Sequence, residues 1–126
     1  MSDEPVERLF TLDEANDALP RLREALTTIR EARQEVMASG ERIRRAAVSD
    51  GGGPEGARYL DSLKVLREES EALAGEGIIL RDPETGLVDF PAEREGRQVF
   101  LCWRLGEDAV GFWHEADTGF SGRQPL

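Results

Sequence analysis

The chain has 126 residues and a mass of 14.0 kDa, the size of one domain, so we expect residues 1–126 to form a single domain. Its 16 basic and 26 acidic side chains give a formal net charge of −10, which argues against nucleic acid or an anionic membrane surface as a partner. It has no apolar run of the roughly 20 residues that span a bilayer, and its acidic start, MSDEPVERLF, lacks the pattern of a secretory signal, so we expect a cytoplasmic protein.

Residues 11–75 have apolar side chains at helical spacing and predict an antiparallel helical hairpin. The hairpin begins with the pattern of a capping box, in which the Thr11 side chain accepts from the backbone N–H of Glu14 and Glu14 reaches back to the N–H of Thr11. Pro20 removes one helical hydrogen bond, which predicts a kink near Asp17–Leu19.

The apolar positions of the first helix follow a heptad pattern, which is typical of helices that pair with other helices. They are Leu19, Leu22, Leu26, Ile29, Val36, Ile43 and Ala47. We predict that this helix runs to about Val48, that residues 49–54 form a flexible loop, and that a second helix spans Glu55–Ala74. Because two helices bury only a narrow seam, the heptads also predict a homodimer with a four-helix arrangement.

The two predicted helices differ in length. At 1.5 Å per residue the first is about 44 Å long from Pro20 onward and the second about 30 Å, so the second cannot cover the first completely. We therefore expect the early part of the first helix, Leu12 to about Leu26, to be covered by the C-terminal half. This would bring Glu14 and Asp17, which share one helix face, close to that half.

Residues 76–126 contain short β-branched and aromatic runs separated by turn residues, and predict a small antiparallel β-meander of three or four strands. The fold class is therefore α+β. We expect Pro91 to end the second strand, and the tail from Ala116 to Leu126 to be irregular. The predicted strands are Ile78–Arg81, Leu87–Phe90, Gln98–Leu105 and Ala109–Glu115.

The last two strands form a predicted hairpin. If Leu105 pairs with Ala109, Cys102 faces Phe112, and His114 is the diagonal neighbour of Cys102 on the same face, at roughly 7–8 Å. The same register gives one apolar face, which we expect to pack on the first helix rather than to bind a partner. It consists of Leu101, Trp103, Leu105 and Trp113. A register shifted by one residue would place Cys102 and His114 on opposite faces.

Several segments of the chain resemble a small bacterial family, domain of unknown function 2203. They are FTLDEAN at 10–16, LP at 19–20, GLVDFP at 86–91, CWRLGE at 102–107, GFWHE at 111–115 and GFSGRQPL at 119–126. The resemblance covers nearly the whole chain. It implies a cytosolic bacterial protein of one domain, and implies nothing about its chemistry.

A candidate metal site combines the two halves of the chain. A single Cys and a single His cannot form a Cys/His zinc site within one chain, but an imidazole with carboxylates suits a divalent ion. The candidate ligands are His114, Glu115, Asp117, Glu14 and Asp17. The alternative interpretation is that Glu14 caps its helix and that His114 is a hydrogen-bonded residue at the end of a strand.

Other candidate residues also have two interpretations. Cys102 and His114 could form a nucleophilic dyad, or Cys102 could be a small core residue. Arg104 and Arg123 could bind an anion, or could pair with nearby acids.

The sequence thus leaves three functions open. The first is a non-enzymatic interaction module that binds a protein partner or a second copy, the second is a domain that binds a divalent metal or a small anion around His114, and the third is a Cys102/His114 enzyme.

Overall fold

The helical half begins with a short helix, α1 (Leu12–Asp17), in the computed structural model, which describes residues 8–46 and 53–126. The predicted capping box is present, with Thr11 accepting from the N–H of Glu14 and Glu14 accepting from the N–H of Thr11. The chain turns at Ala18, where the kink was expected, and α2 (Leu19–Ala46) follows. Because Pro20 lies in the first turn of α2, its missing N–H costs no hydrogen bond within that helix.

The second helix of the hairpin, α3 (Gly53–Gly75), lies antiparallel to α2, since Arg42 near the end of α2 bonds to Glu55 near the start of α3. The ring of Tyr59 packs against Gly40, 3.5 Å from where a Cβ atom there would stand, which is an ordinary contact distance. The predicted helix end near Val48 and most of the predicted loop, residues 49–52, lie outside the described residues. No helix in the described ranges is both long and apolar enough to cross a membrane.

The C-terminal half is a five-stranded antiparallel sheet in which each strand pairs with the next along the chain. The strands are β1 (Ile79–Asp82), β2 (Leu87–Arg94), β3 (Arg97–Arg104), β4 (Phe112–Glu115) and β5 (Gln124–Pro125). The α+β class is confirmed, but there are five strands rather than three or four. The extra strand lies in the tail, which is not irregular as expected, because a 3₁₀ turn at Phe120–Gly122 leads β5 back onto β4.

Pro91 does not end β2, contrary to the expectation. It pairs with Phe100 of β3, and its carbonyl oxygen accepts a hydrogen bond from the backbone N–H of Phe10 at 2.7 Å. The carbonyl and the nitrogen of a strand residue point to the same side, so the Pro91 nitrogen also points away from β3. No ladder hydrogen bond is lost there, and β2 continues to Arg94.

One face of the sheet packs on α1 and the first half of α2, as the difference in helix length predicts. The shared core includes Ala15, Leu19, Leu22, Leu26 and Ile29 from the helices, and Val88, Phe90, Val99, Leu101, Trp103 and Trp113 from the sheet. The loop before β4 is tied to the same helices, since Asn16 accepts from the N–H of Val110 at 2.8 Å and Arg23 donates to the carbonyl of Asp108 at 2.9 Å.

The register of β3 and β4 agrees with the prediction, with Cys102 opposite Phe112 and Phe100 opposite His114. The connection is wider than the predicted three-residue loop, because the described pairing begins only at Phe112. In this register Trp113 faces the helices. Strand residues alternate between faces, so Cys102 and His114 lie on the face that points away from the helices.

Candidate metal centre

Three ionisable side chains from three strands meet on the sheet face that points away from the helices. Asp89 is on β2, Cys102 on β3 and His114 on β4, and their exposed fractions are 2%, 1% and 2%. One potential ligand atom from each lies within 4.8 Å of the other two. Within residues 8–46 and 53–126 this is the only group of three or more His, Cys, Asp or Glu side chains that is placed in this way.

Both ring nitrogens of His114 have partners. Nδ1 lies 2.7 Å from the carbonyl oxygen of Glu115, and Nε2 lies 3.0 Å from Oδ2 of Asp89. A carbonyl can only accept, so Nδ1 carries a proton and donates it. The backbone contact therefore fixes the ring with Nε2 turned toward the cluster.

Asp89 is the residue of this cluster that the sequence interpretation missed. Its Oδ2 accepts from Nε of Arg81 at 2.8 Å as well as contacting His114, while its Oδ1 is buried and has no partner among the described residues. An unpaired buried carboxylate oxygen is costly, and in native proteins such an atom is usually bonded to the protein, to water or to an ion. The sequence does contain a signal for Asp89, because it is an acidic residue between Val88 and Phe90, two apolar residues that are typical of a buried strand.

The Cys102 thiol is held in its neutral form in the absence of a metal. Burial, and then the negative charge of Asp89, raise its pKa to about 11, against the opposing effect of Arg123. Neither nitrogen of His114 is free to act as its base, because the two bond to Asp89 and to the Glu115 carbonyl. The structure therefore does not form the nucleophilic dyad that the sequence suggested for Cys102 and His114.

Arg123 reaches the cluster from the C-terminal tail. It donates to both carboxylate oxygens of Glu107 at 2.9 Å, and its guanidinium lies 4.1 Å from the ring centre of Phe112 and 4.7 Å from that of Phe120. It also donates a hydrogen bond to the backbone carbonyl oxygen of Cys102 at 3.5 Å. Of the two interpretations offered for this arginine, the structure shows pairing with a nearby acid.

Arg104, the other predicted anion-binding residue, is exposed and lies 5.5 Å from the ring centre of Phe120. It therefore lies near the same aromatic ring as Arg123. None of the described hydrogen bonds or ion pairs joins Arg104 to the buried cluster.

The five predicted metal ligands do not come together. Glu14 closes the capping box of α1 and, with Asp17, borders a shallow surface depression. Glu115 pairs with Arg97 at 2.6 Å, and hydrogen bonds from Arg97 lower the pKa of Glu115. Asp117 is exposed in the turn after β4.

The composite site fails for a geometric reason. The register that turns Trp113 toward α2 necessarily turns the next residue, His114, away from α1. The sheet covers the early helix as predicted, but the imidazole lies on the other side of the sheet from Glu14 and Asp17. It meets Asp89 and Cys102 instead.

Comparison with known proteins gives one match. A family model described as an uncharacterized conserved protein (DUF2203) matches residues 8–126. No curated protein and no solved structure matches the chain. The matched region contains every residue of the buried cluster together with Arg123 and Glu107, so the cluster belongs to the matched domain.

Proposed function

We propose that this chain, which belongs to the domain of unknown function 2203 family, binds a divalent transition metal through Asp89, Cys102 and His114. The observation that carries the proposal is the burial of these three ligand-type side chains with one ligand atom of each within 4.8 Å of the others. Thiolate, imidazole and carboxylate together form a donor set that suits Zn²⁺, whereas Mg²⁺ and Ca²⁺ prefer oxygen ligands alone.

The geometry around His114 supports a bound ion. Its Nδ1 donates to the backbone carbonyl of Glu115, which is the usual arrangement behind a metal-binding histidine. Its Nε2 lies 3.0 Å from Oδ2 of Asp89. Two ligand atoms on one Zn²⁺ ion, with bonds of about 2.0–2.2 Å, lie roughly 3 to 3.5 Å apart, so little movement is needed to admit the ion.

The nearby guanidinium groups of Arg81 and Arg123 are each bonded to an acid, Arg81 to Asp89 and Arg123 to Glu107. The Cys102 thiol loses its proton when it becomes a thiolate ligand. One thiolate and one carboxylate together balance the charge of a divalent ion. Three protein ligands leave one tetrahedral position for a water molecule or another small ligand.

Equilibrium dialysis and calorimetry with Zn²⁺ test the proposal. We expect one ion per chain in the wild type and at least about 100-fold weaker binding in Cys102→Ser and His114→Gln, since even outer-shell changes cost 10–100-fold. Glu115→Gln is the matched control, because its side chain bonds to Arg97 outside the cluster. A wild type that binds no metal, or a control variant that loses as much affinity as the ligand variants, would overturn the proposal.

A second candidate function, an interaction module that pairs two copies of the chain through the helical hairpin, is supported by exposed apolar side chains on α2 and α3. Leu60 is 63% exposed and Met37 58% exposed, and Leu63 and Val65 are also exposed. Light scattering at micromolar concentration tests this candidate. We expect a dimeric mass for the wild type and a monomeric mass for Leu60→Glu, and a monomeric wild type contradicts it.

A further inference from the structure

A cavity of about 520 Å³, the end cavity, lies between the first turn of α1 and the helix-facing side of the sheet. Its volume is within the range of roughly 300–1,000 Å³ that is typical of small-molecule sites. Four apolar side chains from three neighbouring strands line it, and none of them is more than 6% exposed. They are Ala92 on β2, Val99 and Leu101 on β3, and Trp113 on β4.

Three exposed leucines border the same cavity. Leu9 is 46% exposed, Leu12 41% and Leu126 46%. They are three of the eight exposed large apolar side chains in the described part of the chain, and the other five do not line this cavity. Single apolar side chains scattered over a surface are ordinary, whereas a group of them around one concave region marks a binding surface.

Backbone hydrogen bonds hold the walls of the end cavity in place. The N–H of Phe10 donates to the carbonyl of Pro91 at 2.7 Å, which fixes the segment that contains Leu9 on β2. On the other side, the N–H of Leu126 donates to the carbonyl of Gly111 at 2.9 Å. The cavity is therefore formed before a ligand arrives, so that binding does not have to order its walls.

One positive charge borders this apolar cavity. Arg94 is exposed, and its guanidinium lies 4.4 Å from the ring centre of Trp113. Among the described hydrogen bonds and ion pairs none involves the Arg94 side chain, whereas Arg97, which pairs with it across β2 and β3, is bonded to Glu115. Strand alternation directs the side chain of the preceding residue, Glu93, to the other face of the sheet.

We propose that the end cavity binds a small amphipathic carboxylate such as a medium-chain fatty acid. The apolar body lies against Trp113 and the three leucines, and the carboxylate group accepts hydrogen bonds from Arg94. A guanidinium matches a carboxylate through two parallel N–H donors, so this side chain selects an acid over a neutral lipid. The inference does not depend on the proposed metal centre, because Asp89 and His114 lie on the opposite face of the sheet.

The chain as a whole does not attract this ligand. Its net charge of −10 repels anions at long range, so recognition depends on the local contact with Arg94 and on burial of the apolar body. For a ligand of this size we expect a Kd on the order of 10–100 µM, with one molecule bound per chain.

Nuclear magnetic resonance of the nitrogen-15-labelled full chain, titrated with decanoate, tests the location of the site. The chain has two tryptophans, and only Trp113 lines the end cavity. The other, Trp103, is fully buried and donates from Nε1 to the carbonyl of Glu107 at 3.0 Å. We expect a saturable shift of the Trp113 indole signal and an unchanged Trp103 signal. A Trp113 signal that does not move, or moves no more than that of Trp103, overturns the inference.

Substitution of Arg94 tests the carboxylate contact. Arg94→Gln should bind decanoate roughly tenfold more weakly, because a charge-assisted hydrogen bond is lost, and should bind the uncharged decanamide as the wild type does. Arg97→Gln is the matched control, since it removes the same charge from the neighbouring strand but does not line the cavity. Equal losses in the two variants, or a wild type that binds decanamide as tightly as decanoate, overturn the inference.

Two further comparisons test the apolar contact. Leu9→Ser removes part of one wall and should weaken decanoate binding several-fold, and acetate, which has no apolar body, should not shift the Trp113 signal. Leu60→Glu removes an exposed apolar side chain from α3 and should leave decanoate binding unchanged. Decanoate binding that is lost in Leu60→Glu and kept in Leu9→Ser would place the ligand on the helical hairpin and overturn the inference.

Discussion

His114 and Asp89 form a hydrogen bond across an intervening strand. His114 is on β4 and Asp89 is on β2, yet Nε2 of one lies 3.0 Å from Oδ2 of the other, above β3. Cys102 is the β3 residue that pairs with Asp89, so the thiol lies directly beside this bond. The contact joins β2 to β4 across β3, on the sheet face that points away from α1 and α2, which makes it both a structural element and the centre of the candidate site.

The first prediction concerns the stability of this pair. Asp89→Asn preserves the shape of the side chain but removes the charge that His114 and Arg81 bond to, so we expect the free energy of unfolding to fall by about 3–5 kcal/mol. Urea unfolding measures the change in the metal-free chain. In the double variant with His114→Gln, the second substitution should cost much less than it costs alone, whereas simple additivity of the two would show that the pair is not coupled.

The second prediction concerns protons released by the metal. Since the thiol of Cys102 must lose its proton to become a ligand, Zn²⁺ binding near neutral pH should release at least about one proton per ion. Calorimetry in buffers of different ionisation enthalpy measures this number. Cys102→Ser, saturated with Zn²⁺, should release about one proton fewer than the wild type, because a serine hydroxyl remains protonated. Release of none by the wild type would mean that the ion binds elsewhere.

The third prediction concerns thiol reactivity. Because the pKa of Cys102 is raised to about 11, only about one thiol in a thousand is ionised at pH 8, and the metal-free chain should react with iodoacetamide far more slowly than a cysteine peptide. The rate should rise with pH until close to pH 11, as mass spectrometry of the alkylated chain can follow. Fast alkylation at pH 7 would contradict the structural environment described for Cys102.

The fourth prediction concerns the acid stability of the ion pair between Glu107 and Arg123. Burial opposes ionisation of Glu107, but hydrogen bonds from Arg123 and the backbone of Arg104 outweigh it and lower the pKa of Glu107 below 4.5. Its carboxylate therefore stabilises the fold above the unfolded-state pKa, and this stabilisation is lost as pH falls through the folded-state value.

Unfolding midpoints measured between pH 6 and pH 3 test this dependence. Glu107→Gln should have a lower midpoint than the wild type near pH 6, and the difference should shrink as the pH falls. A difference that stays constant over this range would show that Glu107 acts through packing and not through its charge.

Local pattern was sufficient to predict much of the fold. The capping box at Thr11 depends on neighbouring residues, and the register of β3 and β4 depends on alternation that buries Leu101, Trp103 and Trp113 together. The two-residue β5 escaped prediction because Gly and Pro around it are typical of irregular chain. It pairs only because the 3₁₀ turn returns the tail to β4.

The candidate site was harder to predict, because its members meet only through strand order. Asp89 and His114 are 25 residues apart in the sequence, and no local pattern around either residue indicates the other. The predicted register is itself sufficient to exclude the composite metal site. Neighbouring strand residues point to opposite faces, so when Trp113 faces the helices, His114 faces away from Glu14 and Asp17.

The short strand β5 covers β4, which would otherwise be an edge strand of the sheet. Without Gln124 and Pro125, the free side of β4 would offer its backbone groups to a strand from another molecule, which is a common route to aggregation. Pro125 in β5 has no N–H that could bond to a further strand. At the opposite edge of the sheet, β1 is only four residues long, and its pairing is irregular between Leu80 and Asp82. Both borders of the sheet are thus poor templates for intermolecular pairing, so a chain shortened by its last few residues should be the form that precipitates.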